Sequence, residues 1–171
     1  MRPIGFAALL VLATVAPACA QSPDAIDLIA RVTAGLSDGS QIGMGTLGAG
    51  AVSRSDGVYS VGFGTGTATL TFAQPQNCVF TQIAQMKGQP TTSVRFDLNQ
   101  VTAISYTDQG PYNGLNAVLL QFTGGDGMVD VLAADGSASP VPAAASILTS
   151  LSLADLNAAA TALRQLCPGA K

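Results

Sequence analysis

Cys78-Val79-Phe80-Thr81-Gln82-Ile83-Ala84-Gln85-Met86 and Thr92-Ser93-Val94-Arg95-Phe96-Asp97-Leu98, separated by Lys87-Gly88-Gln89-Pro90, decide the fold class of this chain. In the second run Val94, Phe96 and Leu98 oppose Arg95 and Asp97, the period-two pattern of a half-buried strand. In the first run one face carries Cys78, Phe80, Gln82, Ala84 and Met86 and the other Val79, Thr81, Ile83 and Gln85. Neither face is cleanly polar, which predicts a central strand. The four-residue connector has the turn chemistry of Gly and Pro and is too short for a crossover helix, so the two strands should pair antiparallel.

The same pattern extends in both directions. Val58–Phe63, Thr67–Ala73, Val101–Thr107, Asn116–Thr123 and Met128–Ala133 are rich in β-branched and aromatic residues, and short turn clusters separate them. Gly110-Pro111-Tyr112-Asn113-Gly114 and Gly124-Gly125-Asp126-Gly127 supply two of the turns. About seven strands therefore fill a β region over residues 58–133. Gln41 to Ala51, mostly glycine and small residues, reads as a loop with an irregular strand inside it. Residues 137–150, rich in Ser, Ala and Pro, read as a surface linker.

Helices flank this region. Ser22-Pro23-Asp24 is a helix start, with a hydroxyl cap, a proline whose missing N–H is tolerated there, and an acid at the positive end of the dipole. Ile26, Ile29, Val32 or Thr33, and Leu36 follow at helical spacing, so a helix is predicted over 22–36, with one apolar stripe to lay on a sheet. A second helix is predicted over 152–167. Ser152 caps it, Asp155 completes a capping box, and Leu151 with Leu156 forms a hydrophobic staple. Leu156, Ala160, Leu163 and Cys167 share one face. The fold class is thus α+β: an antiparallel sheet, curled towards a barrel, with an N-terminal and a C-terminal helix packed on it. Strands followed by one closing helix resembles the outline of pleckstrin-homology-like barrels, a likeness of shape that implies no function.

The first twenty residues carry an address. Arg2 precedes an apolar run from Ile4 to Val15 that ends at Pro17-Ala18-Cys19-Ala20, the pattern of an export signal cleaved between Ala20 and Gln21. The apolar core is too short to span a bilayer comfortably, and later apolar stretches are interrupted every few residues, so no transmembrane span is expected. A lipidated Cys19 would need a large aliphatic residue three positions earlier, and Ala16 stands there. Residues 21–171 then form a single globular domain in the periplasm or outside the cell.

Cleavage leaves Cys78 and Cys167, an even pair in an oxidising compartment, which predicts a disulfide pinning the last helix to the sheet. A reactive thiol pair lacks support, since the spacing is not Cys-x-x-Cys and no His or Lys adjoins either residue. The chain has 7 basic and 10 acidic residues. Without a basic cluster, nucleic acid and anionic lipid are poor partners.

The chain contains no histidine and no glutamate, which removes Ser-His-Asp and Cys-His nucleophile pairs, imidazole bases and His-based zinc sites. Gly43-Met44-Gly45-Thr46-Leu47-Gly48 has G-x-G-x-x-G spacing, but no strand leads into it and no helix pattern follows, so a loop is expected. The four Asp-Gly pairs, at Asp38, Asp56, Asp126 and Asp135, read as hairpin turns. A calcium site from Asp126, Asp130 and Asp135 fails because Val129 stands where the nonapeptide repeat needs Asp. Lys87 lies in a turn, away from any serine nucleophile. Most of Tyr59, Tyr106, Tyr112, Phe63, Phe72, Phe80, Phe96 and Phe122 should be core. No catalytic, cofactor-binding or metal-ligating residue is therefore assigned. The expected function is a non-catalytic binding or interaction module of the cell envelope. The partner would be an envelope protein or, alternatively, a small apolar ligand carried in the curled sheet; a hydrolase using Asp and Ser alone is the third reading.

Overall fold

A computed structural model describes residues 23–44 and 47–169. The expected cleavage site at Ala20 and Gln21, Cys19 and the Ser22 cap lie outside the described residues. Two helices, α1 (Pro23–Ala34) and α2 (Leu153–Leu166), flank eleven strands of one antiparallel sheet. The strands are β1 (Gln41–Gly43), β2 (Ala49–Ser55), β3 (Val58–Phe63), β4 (Gly66–Gln76), β5 (Val79–Met86) and β6 (Thr92–Asp97), then β7 (Val101–Tyr112), β8 (Leu115–Gly124), β9 (Val129–Leu132), β10 (Ala138–Pro140) and β11 (Ala144–Thr149).

The seven expected strands correspond to β3 through β9, and the count of seven is corrected by four more. Two of these, β1 and β2, begin in the glycine-rich stretch read as a loop with one irregular strand inside it, and β2 runs on to Ser55. The other two, β10 and β11, come from residues 137–150, which are not a linker. In both places local propensity is low and pairing supplies the order: Ile42 faces Thr149 on β11, and Ala144 through Thr149 face Gln121 through Asn116 on β8. Gly50 is needed on β2 because a Cβ there would drive into the Phe63 ring and Val61. Of the G-x-G-x-x-G stretch, Gly43 ends β1 and the Leu47 N–H donates to the Met44 carbonyl, while Gly45 and Thr46 lie outside the described residues. Cys78 precedes β5 rather than starting it, and β5 lies between β4 and β6, inside the sheet as its two-sided pattern predicted.

Two hairpin turns follow the expected chemistry. Asp56-Gly57 and Asn113-Gly114 have positive φ at both positions, the geometry that lets two residues reverse a twisted ladder. The second turn is shorter than the five-residue cluster expected, because β7 continues through Gly110 and Pro111 as far as Tyr112 after a register shift between Asp108 and Gly110.

The strand order is β10-β9-β6-β5-β4-β3-β2-β1-β11-β8-β7. Its two ends are built from the same pieces of chain. β6 runs into β7 through residues 98–100, β8 into β9 through 125–128, and β10 into β11 through 141–143. One member of each pair, β6, β9 and β10, lies at one end of the sheet, and the other member, β7, β8 and β11, lies at the other. At the three breaks the Gly125 N–H donates to Gln100, Phe122 to Ala143 and Val141 to Val129. Three neighbouring segments thus bend together and carry both ends of the sheet, which curls it into a half-barrel.

The concave side holds the core. Ile26, Ile29 and Val32 of α1 are buried, and so is Leu36, although the helix expected as far as residue 36 stops at Ala34, before Gly35 turns to a φ of 64°. Leu156, Ala160, Leu163 and Cys167 of the C-terminal stripe are buried as well. α1 packs on α2, β4 and β11, and α2 also packs on β7. The capping box is present: Ser152 Oγ accepts from the Asp155 N–H at 3.1 Å, and the Ser152 N–H donates back to the Asp155 carboxylate at 3.1 Å. The Ser152 hydroxyl, 2.7 Å from Asp155 Oδ2, and then the Ser152 N–H hold the Asp155 carboxyl below its ordinary range. Cys78 and Cys167 form the expected disulfide across 89 residues of sequence, with Cα atoms 5.5 Å apart.

Candidate functional site

An apolar cleft of about 400 Å³ opens where the two ends of the curled sheet face each other. Strand register builds one wall. Gln82 of β5 faces Val94 of β6, which faces Val131 of β9, and the next row is Phe80, Phe96 and Val129. Leu120 and Phe122 of β8 form the opposite wall, and residues 141–145 form the rim. The Phe96 and Phe122 rings meet across the floor with centroids 6.0 Å apart. Phe96, Phe122 and Val129 are buried, whereas Val131 is 36% exposed, so the cleft has a buried floor and an open side.

Its polar contribution is small. Thr33 reaches in from α1, and its hydroxyl lies 2.8 Å from the Ile29 carbonyl and 3.4 Å from Gln82 Oε1. A threonine hydroxyl has one proton, and the shorter contact is the usual i to i−4 bond of a helical threonine. Gln82 is therefore tethered weakly. Further along the inner face of β5, past Ala84 and Met86, lies a second hollow of about 650 Å³ lined also by Leu70, Met44 and Leu47. Among the described residues lining the two hollows, none carries a charge.

The charged groups lie elsewhere and act as ties. The Tyr59 hydroxyl donates to Asp27 Oδ1 at 2.9 Å, Arg54 pairs with Asp27 at 2.7 Å, and the guanidinium stands 5.6 Å from the Tyr59 ring centroid. Together they fasten α1 to β2 and β3. Burial, then the hydrogen bond and negative charge of Asp27, push the Tyr59 phenol far above its ordinary range. Burial alone does the same for Tyr106, whose hydroxyl donates to the Val32 carbonyl at 2.9 Å. Both phenols therefore stay protonated at neutral pH and serve as hydrogen-bond donors.

Each Asp-Gly pair sits in a turn or bend. Asp130 pairs with Arg95 at 2.9 Å and Asp135 accepts from Ser137, so two of the three carboxylates weighed for calcium already have partners. Among the described residues no group of three or more His, Cys, Asp or Glu side chains converges. Lys87 is exposed in the β5–β6 turn. Tyr59, Phe63, Phe72, Phe80, Phe96 and Phe122 are core, Tyr106 is partly buried, and Tyr112 is 56% exposed.

The cleft itself was not legible in the sequence. Its walls come from strands far apart in the chain, and its rim comes from residues read as a linker. The one available signal was Gln82, a polar residue alternating with Phe80 and Ala84 on an inward face. No family model matches the chain, and no curated protein or solved structure matches it either. The likeness of outline to pleckstrin-homology-like barrels gains no support from these comparisons.

Proposed function

We propose that this protein is an exported, non-catalytic carrier of a small apolar molecule held in the cleft of its curled sheet. The carrying observation is the uncharged hollow between Val94, Phe96 and Val131 on one side and Leu120 and Phe122 on the other. Its size falls in the range of small-molecule sites, and its lining follows their usual composition of apolar walls with few polar groups. The disulfide and the lack of a membrane-spanning helix among the described residues are compatible with a periplasmic or secreted location.

Native mass spectrometry of protein purified from its own compartment should show a bound lipid-like species that denaturation releases. Ala145→Trp, which places an indole at the cleft mouth, should remove that species and the binding of the fluorophore phenylnaphthylamine. Fluorophore binding unchanged in Ala145→Trp would refute the assignment of the cleft.

One observation favours an interaction module for an envelope protein instead. β7 ends the sheet, pairs only with β8, and carries the exposed Tyr112 at its tip. Under that reading Tyr112→Ala abolishes capture of the partner, and Ala145→Trp does not.

A further inference from the structure

Among the described residues Gln82 is the only side-chain amide lining the Phe96–Phe122 cleft, and it has hydrogen-bonding capacity that these residues do not use. Among the described residues its one side-chain partner is Thr33, at 3.4 Å. As placed, Gln82 Oε1 faces the hydroxyl and both amide N–H groups are free. With the amide turned over, one N–H would meet Thr33 Oγ1 and the other would still be free. Either orientation leaves a donor at the edge of an apolar hollow, where water meets it in the free protein and a bound molecule that displaces the water must offer an acceptor in its place. We propose that the ligand is a neutral, single-chain molecule with a hydrogen-bond acceptor such as an ester or ketone carbonyl, and that Gln82 determines this specificity by donating to it. The inference rests on the carrier reading above.

Charge and shape point the same way. Among the described residues no cation lines either hollow to receive a carboxylate or phosphate, and no anion to receive an amine, so an ionised head group would lose its hydration without compensation. Gln82, Ala84 and Met86 alternate on one face of β5, with Gln82 lining the first hollow and Ala84 and Met86 the second, so the two hollows follow one another along that face. An acceptor held at Gln82 therefore leaves a chain to run past Ala84 towards Met86 and Met44. A branched or bulky ring system does not suit two hollows arranged in file.

The test uses four probes against the purified protein, each by displacement of phenylnaphthylamine: methyl decanoate, undecane, decanoate anion and decylammonium. Methyl decanoate should bind about three- to tenfold more tightly than undecane, the range of one net hydrogen bond, and both ions more weakly than the ester. Gln82→Met keeps the length of the side chain and removes its donors. It should bring the ester down to the alkane and leave the alkane unchanged. Thr33→Val, which frees Gln82 without removing it, should keep the ester preference and serves if Gln82→Met fails to fold. Ester and alkane binding equally, with Gln82→Met silent, would overturn the role of Gln82 and leave the carrier reading in place. Decanoate binding as well as the ester would overturn the neutral head group. Displacement by none of the four would remove the carrier reading itself. A dimer that buries the cleft, dissociated by Ala145→Trp, would assign the surface to a second copy and overturn the proposal.

Discussion

Replacing both cysteines by alanine tests the strongest cross-link in the fold. The disulfide closes 89 residues of sequence, and confining the unfolded chain to that loop is worth about 4–5 kcal/mol in the chain-entropy account. For a domain of this size each kcal/mol moves the thermal midpoint by about 2–4 °C, so Cys78→Ala/Cys167→Ala should melt about 10–15 °C lower. A second term is separable. Cys78 occupies a turn with φ of 58°, where an L side chain is strained and glycine is not. Cys78→Gly/Cys167→Ala should therefore recover about 1 kcal/mol relative to the double alanine variant. Urea unfolding checks both, with a larger m-value expected for the two variants because their unfolded chains are free to expand. The native protein should also resist reduction until it unfolds, since Cys78 and Cys167 are 3% and 1% exposed. A double alanine variant within about 1 kcal/mol of the parent would refute the loop-entropy reasoning. A glycine variant no more stable than the alanine one would refute the turn-strain reasoning.

Asp130 is buried to 6% of its side chain while its partner Arg95 is 38% exposed, so Arg95→Leu should destabilise more than Asp130→Leu in chemical unfolding. The first strands a carboxylate with no other partner, whereas the second leaves a guanidinium that water reaches. The raised Tyr59 and Tyr106 phenols bind protons more tightly folded than unfolded, so their contribution is complete below the ordinary tyrosine value of about 10 and declines as pH rises past it. Thermal midpoints should fall in that alkaline window, and the fall should be shallower in Tyr59→Phe. Gly50→Ala should cost about 1–3 kcal/mol, because its Cβ would meet the Phe63 ring and Val61; a silent variant would show that β2 shifts freely.

Several elements were legible because their signals are local. The stripe Ile26, Ile29 and Val32, the Ser152–Asp155 box, and the alternation of Val94 and Phe96 each reside within a few consecutive residues, and each element formed there, α1 and β6 ending just short of Leu36 and Leu98. Asn113-Gly114 and Asp56-Gly57 made turns for the same reason, since few other pairs accept positive φ twice. β1, β2, β10 and β11 had no such local signal. Gly50 is small because Phe63 needs the room, and Ala144 and Ala145 are strand residues because β8 lies beside them.

By itself, then, the sequence determined seven strands, two helices, the capping box of the second helix and the identity of the bonded cysteines, all consequences of periodicity, backbone preference and cysteine parity. Tertiary structure alone decided that β6–β7, β8–β9 and β10–β11 bend together and bring both ends of one sheet face to face. That bend depends on contacts between residues far apart in the chain, and so does the uncharged hollow it leaves between Gln82 and Phe122.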